Sequence, residues 1–128
     1  MSINIKVLIV DDAFFMRNIL KDILARPPYV IAGDARDGEE AITMYKSLRP
    51  DLTIMDIVLP RKDGITAMKE IMAFDKDAKI IICSAIGHAS MITEALEAGA
   101  KDFIVKPFHP AKVLSVVASV MGTQAAAD

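Results

Sequence analysis

Apolar positions along this chain follow two rhythms that take turns. Short, nearly unbroken apolar runs occur at Ile5–Val10, 29–34, Leu52–Asp56, 79–83 and 102–105. They are rich in β-branched residues and bounded by turn-forming ones, the signature of strands. The run Leu52-Thr53-Ile54-Met55 stays apolar or small without alternating, so it reads as a strand buried on both faces. Between the runs the spacing changes to that of helices. Phe15, Met16, Ile19, Leu20, Ile23 and Leu24 form one predicted buried stripe, closed by Pro27-Pro28. Ala41, Met44, Tyr45 and Leu48 form a second, opened by a capping box with Asp37 as N-cap and Glu40 reaching back. Asp63-Gly64 opens a third helix with Ile65, Met68, Ile71 and Met72 inward. The fourth carries Ile92, Ala95 and Leu96, with Gly99 just beyond as a left-handed C-terminal residue. His109-Pro110 starts the fifth, which packs through Val113, Leu114, Val117 and Met121.

Strand and helix thus alternate five times with no linker, repeat or low-complexity stretch. Parallel strands need crossover connections, so the pattern implies a five-stranded parallel sheet with helices on both faces. The fold class is α/β, doubly wound, with right-handed crossovers. The flavodoxin-like strand order 2-1-3-4-5 is one of the common orders for such a sheet; periodicity alone does not select it. The second strand is the weakest and belongs near an edge. One domain over residues 1–122 is expected, with 123–128, which lack an apolar stripe, as a frayed tail.

Composition narrows the function classes. At 128 residues and 53% apolar, the chain is long enough for a proper core and is not a disordered segment. Fifteen Lys and Arg against 17 Asp and Glu, with no basic block, speak against a nucleic-acid surface. No apolar run approaches the roughly 18 residues of a membrane helix, so no membrane insertion is expected. No charged-then-apolar leader precedes the first strand, and the expected location is cytoplasmic. The single cysteine, Cys83, lies in an apolar run and excludes both a disulfide frame and an intrachain thiolate metal site.

In a parallel sheet all carboxyl ends face one way, and ligands sit in the crevice outside them. Asp11 and Asp12 end the first strand, Asp56 the third, Ser84 the fourth and Lys106 the fifth. Singly, Asp56 reads as a capping or solvated loop residue, Ser84 as a strand-end cap, Lys106 as a surface charge and Phe103 as core. Jointly they converge on one crevice. Three carboxylates there would raise each other's pKa unless a cation were present. Hard oxygen ligands with room for water suit Mg²⁺. A carboxylate beside Mg²⁺ and a lysine is equipped for phosphoryl transfer, with Asp56 as nucleophile and Ser84 donating its hydroxyl to a phosphoryl oxygen. His88 and His109 read as structural or solvated and receive no role.

At these residues the chain resembles the receiver domain of two-component response regulators. The resemblance rests on Val7-Leu8-Ile9-Val10-Asp11-Asp12, Met55-Asp56-Ile57-Val58-Leu59-Pro60, Asp63-Gly64, Ser84-Ala85 and Lys106-Pro107-Phe108. The stretches after Asp12, around Cys83-Ser84-Ala85 and from Ala98 to Phe108 are most similar to stand-alone CheY-like chemotaxis regulators. The resemblance implies a phosphoacceptor signalling protein and not an enzyme beyond its own phosphoryl transfer and hydrolysis. Asp56 accepts a phosphoryl group from a histidine kinase. Asp11 and Asp12 hold Mg²⁺, with Asp12, Asp56 and the Val58 carbonyl as direct ligands. Lys106 contacts the phosphoryl group through a strand end whose bond to Pro107 is cis. Ser84 and Phe103 are the switch pair. The implied partners are the kinase, a possible phosphatase, and a downstream protein docking on the fourth helix, fifth strand and fifth helix. A motility role and a place in a phosphorelay are both compatible with the same five site residues.

Val58 and Ile86 are apolar at positions two beyond Asp56 and Ser84, flanking the path by which water would attack an acyl phosphate, so slow hydrolysis is expected. Val58 also stands where an aspartate-nucleophile phosphatase of the haloacid dehalogenase type needs its second carboxylate. A flavodoxin-type flavin site would need a hydroxyl- and glycine-rich loop where Asp11-Asp12 stand, and those would repel a phosphate.

Overall fold

The computed structural model describes residues 4–85 and 88–122, arranged as five strands alternating with five helices. In chain order they are β1 (Ile5–Val10), α1 (Phe14–Ile23), β2 (Tyr29–Ala35), α2 (Gly38–Leu48), β3 (Leu52–Asp56), α3 (Gly64–Phe74), β4 (Ile80–Ala85), α4 (Ala89–Glu97), β5 (Asp102–Lys106) and α5 (Pro110–Met121). The strands form one parallel sheet in the order β2-β1-β3-β4-β5. β2 is an edge strand, and its register with β1 slips by one residue between Val7 and Leu8. Ile86 and the tail 123–128 lie outside the described residues.

The sheet separates two cores, as the period-two rule of strands requires. On one face Leu8, Val10, Met55, Ile57, Ile80 and Ile82 meet α2, α3 and α4. On the other Val7, Ile9, Leu52, Ile54, Ile81 and Cys83 meet α1 and α5. All five residues of β3 are buried. Each large side chain among them contributes about 2 kcal/mol of transfer free energy, and β3 is therefore a rigid support for the aspartate at its end.

Local departures from the sequence pattern are informative. Along α1 and its C-cap the predicted stripe holds at Leu20 and Leu24, which are buried, and at Ile23, which packs against the core, but Phe15 at its start is 70% exposed and Arg17 only 7%. Arg17 is held inward by its partners. Its guanidinium donates to the Asp11 carbonyl at 2.7 Å and to the Asp34 carboxylate at 2.8 Å. A buried cation requires such partners, and both exist only on the inner side. At α2, Asp37 caps the Glu40 amide at 2.8 Å, but the Glu40 carboxylate reaches the Arg36 amide and not that of Asp37. On α4 only Ala95 is buried, and Leu96, expected inward, is exposed. Met91 and Ile92 pack against the core beside Ala95 while remaining partly exposed. Gly99 follows with φ of 121°, the left-handed geometry its position predicted.

Candidate functional site

Strand ends and their loops bring the predicted groups to one edge of the sheet. Asp56 closes β3 and is paired in register with Cys83. Beyond it the chain turns sharply into α3: the Gly64 amide donates to the Ile57 carbonyl at 2.7 Å. A Cβ on Gly64 would stand 2.1 Å from the Asp56 carbonyl oxygen, so only glycine permits this approach. Asp63 caps the helix through the Thr66 amide. The loop carrying the aspartate is thereby fixed from both sides.

Asp11 and Asp56 are both buried, and Lys106 bridges them. Its Nζ lies 2.7 Å from Asp11 Oδ2 and 2.7 Å from Asp56 Oδ2. Asp56 Oδ1 accepts from the Val58 amide at 3.1 Å, and Asp11 Oδ1 accepts from the Ala13 amide at 2.9 Å. Asp12 is exposed, with its carboxylate at the mouth. One carboxylate oxygen from each of Asp11, Asp12 and Asp56 lies within 4.8 Å of the others. Three oxygens so placed, with an open side for water, fit a small hard cation such as Mg²⁺. The protein's own cation, Lys106, ion-pairs with two of the three carboxylates, and its single charge leaves the cluster net negative. Lys106, expected to contact the phosphoryl group, here touches both buried carboxylates.

Electrostatics follow the geometry. Burial pushes the Asp56 carboxyl above its ordinary value, with Asp11 adding to the rise, against the opposite pull of Lys106 and the Val58 amide. For Lys106, burial acts downward, but the hydrogen bonds it donates to Asp11 and Asp56 outweigh it and the ammonium is held above its ordinary value. Behind the site, burial raises the Cys83 thiol, which keeps it protonated and inert. Asp34 is lowered: burial acts upward, and Lys21 and Arg17 together outweigh it.

The two predicted switch residues share a face but lie apart from the carboxylates. Ser84 is paired with Val105, two residues beyond Phe103 on β5, so Ser84 and Phe103 project to the same side of the sheet. Phe103 is half-buried against the core on that side. Among the described residues Ser84 Oγ makes no hydrogen bond to Asp56 or Lys106. It lies 3.2 Å from the Ala85 carbonyl and 3.0 Å from His88 Nδ1. His88, given no role from the sequence, therefore touches a candidate site residue. A spacing of four between a strand-end serine and a histidine just before a helix was the available signal. Arg17, also passed over, supports Asp11 from behind. Val58, whose side chain was expected to shield the site, is 53% exposed at its rim. The Lys106–Pro107 bond is cis.

Similar proteins point the same way. Residues 7–118 match the family described as response regulator receiver domain. The chemotaxis protein CheY of Thermotoga maritima is 55% identical over 115 residues, covering 90% of this chain and 96% of that protein. The CheY of Bacillus subtilis is 51% identical and covers 88% and 93%. Among solved structures, the complex of CheX, CheY, BeF₃ and Mg²⁺ from Borrelia burgdorferi contains a chain 44% identical to this one. That chain superposes with a TM-score of 0.88, over 92% of this chain and 90% of its own.

Proposed function

The chain belongs to the response regulator receiver domain family and is CheY-like across nearly its whole length, and from that premise we propose that Asp56 is its phosphoacceptor. A histidine kinase donates the phosphoryl group, and the phosphorylated chain changes its affinity for a downstream protein in chemotactic signalling. The observation that carries this reading is the bridge of Lys106 to two buried carboxylates beside a third, at the ends of separate strands.

The chemistry is a direct transfer. An Asp56 carboxylate oxygen forms the O–P bond as the N–P bond of the donor phosphohistidine breaks, and the histidine nitrogen keeps the electron pair. Burial favours this by stripping water from the nucleophile, while Lys106 and the Val58 amide keep it aimed. The carboxylate charge is lost as the acyl phosphate forms, and Lys106 can follow the new charge onto the phosphoryl oxygens without leaving Asp11. Asp11, Asp12, Asp56 and the Val58 carbonyl would hold Mg²⁺. When bound, the ion supplies neutralising charge for the transferred group. Self-catalysed transfer and hydrolysis are the only reactions assigned to the chain. A carboxylate two residues after Asp56, the acid a phosphatase would use, is replaced by Val58.

The output is a shift between two packings. Ser84 turns toward the phosphoryl oxygen, and Phe103, on the same face, moves into the space released. α4, β5 and α5 then present the altered surface. The single buried residue of α4 and the exposed Leu96 support this assignment, because a shallowly seated helix shifts at small cost. The BeF₃ complex of a relative with CheX supports a partner that reads the activated site, and a phosphatase is one class of such partner. We assign the receiver unit to 1–122 and its setting to the cytoplasm. Among the described residues no helix is long and apolar enough to cross a membrane. To test the reading, an autophosphorylated chemotaxis histidine kinase carrying radiolabel is mixed with the chain. Label should move to the parent and not to Asp56→Asn. Equal labelling of both would refute it.

A further inference from the structure

We infer that His88 is a positioning residue whose ring latches the Ser84 hydroxyl in the resting orientation and so opposes activation; this rests on the reading of Ser84 as a switch. Ser84 Oγ is buried and lies 3.0 Å from His88 Nδ1 and 3.2 Å from the Ala85 carbonyl. A serine hydroxyl has one proton and can accept in turn. When that proton goes to the Ala85 carbonyl, the imidazole N–H donates to Oγ. When it goes to Nδ1, the carbonyl becomes the weaker partner. In either arrangement the proton that a phosphoryl oxygen would need is already engaged, and Oγ is tethered on the side of α4.

The histidine is placed for this task and for no other visible one. It stands immediately before α4, and its carbonyl accepts the Ile92 amide at 3.0 Å. Its side chain makes no capping hydrogen bond to the helix. The ring is instead turned back onto β4. A contact made in the resting packing alone lowers the apparent affinity of any ligand that needs the other packing. Releasing a hydrogen bond of ordinary strength should tighten such a ligand about three- to tenfold.

The test titrates the full chain with beryllofluoride in Mg²⁺ buffer and follows the backbone amide NMR signals of Asp56 and Phe103. His88→Ala should bind the probe about three- to tenfold more tightly than the parent. His88→Asn, whose amide can occupy the place of Nδ1, should return to near-parent affinity, which loss of ring bulk or helix fraying does not predict. In a Ser84→Ala background, adding His88→Ala should change nothing. Unchanged or weaker binding by His88→Ala, or an equal gain without the Ser84 hydroxyl, would overturn the latch. A parent that ignores the probe, or an Asp56→Asn variant that binds it equally well, would overturn the phosphoacceptor reading and the latch with it.

Discussion

Replacing Lys106 by methionine keeps an unbranched stem and removes the one cation that touches both buried carboxylates. In the parent, Nζ makes two contacts of 2.7 Å, with Asp11 and Asp56, and its side chain is only 17% exposed. Breaking a buried pair by deleting one partner costs about 3–5 kcal/mol, and the crevice opens to water at Asp12, so about 3 kcal/mol is expected near neutral pH. For a domain of this size that lowers the melting temperature by about 10 °C. The sign with pH follows from Asp56. Burial already raises its carboxyl, and without Lys106 it rises further. An acid whose folded pKa exceeds its unfolded one is destabilising when ionised, so the penalty appears as pH rises through that value and fades on acidification. The parent lysine, raised in the fold, keeps its full contribution throughout this range, below its ordinary value of 10.5. Urea denaturation with a chelator present should therefore show a large loss at pH 7.5 and a smaller one at pH 5. Added Mg²⁺ should recover part of the neutral-pH loss. An equal loss at both pH values, or none, would show that Lys106 does not compensate these carboxylates.

Asp34→Asn removes the outer partner of buried Arg17 and should lower stability by about 1–3 kcal/mol at neutral pH. Because the Asp34 carboxyl is held below 3.8 in the fold, its contribution is present above that value and lost as pH falls through the folded one. The variant's deficit, read by denaturation, should therefore shrink below about pH 4, and a constant deficit would contradict the assignment. Gly64→Ala forces a methyl against the Asp56 carbonyl and should impair both stability and phosphorylation, read by melting and by labelling with a small phosphodonor; a neutral result would mean that the loop can yield. Val58→Asn, at the half-exposed rim, should speed loss of the phosphoryl group once the donor is removed, because a polar side chain can hold the attacking water. Equal or slower decay would exclude Val58 as a limit on water attack.

Much of this architecture was legible in the chain because strand periodicity is a local property. The unbroken apolar runs of β1, β3 and β4 predict strands covered by helices on both faces, and a core lies on each side of the sheet. The convergence of Asp11, Asp12, Asp56 and Lys106 was legible once a parallel sheet was inferred, since strand ends then share one edge. Less visible was whatever depends on contacts between distant elements. The inward placing of Arg17 depends on Asp34 and the Asp11 carbonyl, and at that end of α1 Phe15 faces outward against its hydrophobicity. On α4, Ala95 is buried while Leu96 is exposed, and helical spacing alone does not say which of two adjacent apolar residues faces the sheet. His88 looked idle because its partner lies across a loop and its hydrogen bond runs to a side chain, leaving no trace in composition or period.

The most direct measurement of the central claim is intact-protein mass after incubation with acetyl phosphate, with Mg²⁺ or with a chelator, for the parent and Asp56→Asn. The prediction is one added phosphoryl group on the parent in Mg²⁺ only, and none on Asp56→Asn in either buffer. Undiminished labelling of Asp56→Asn would contradict the assignment of Asp56 as acceptor, and undiminished labelling of the parent in chelator would remove the metal from the reaction.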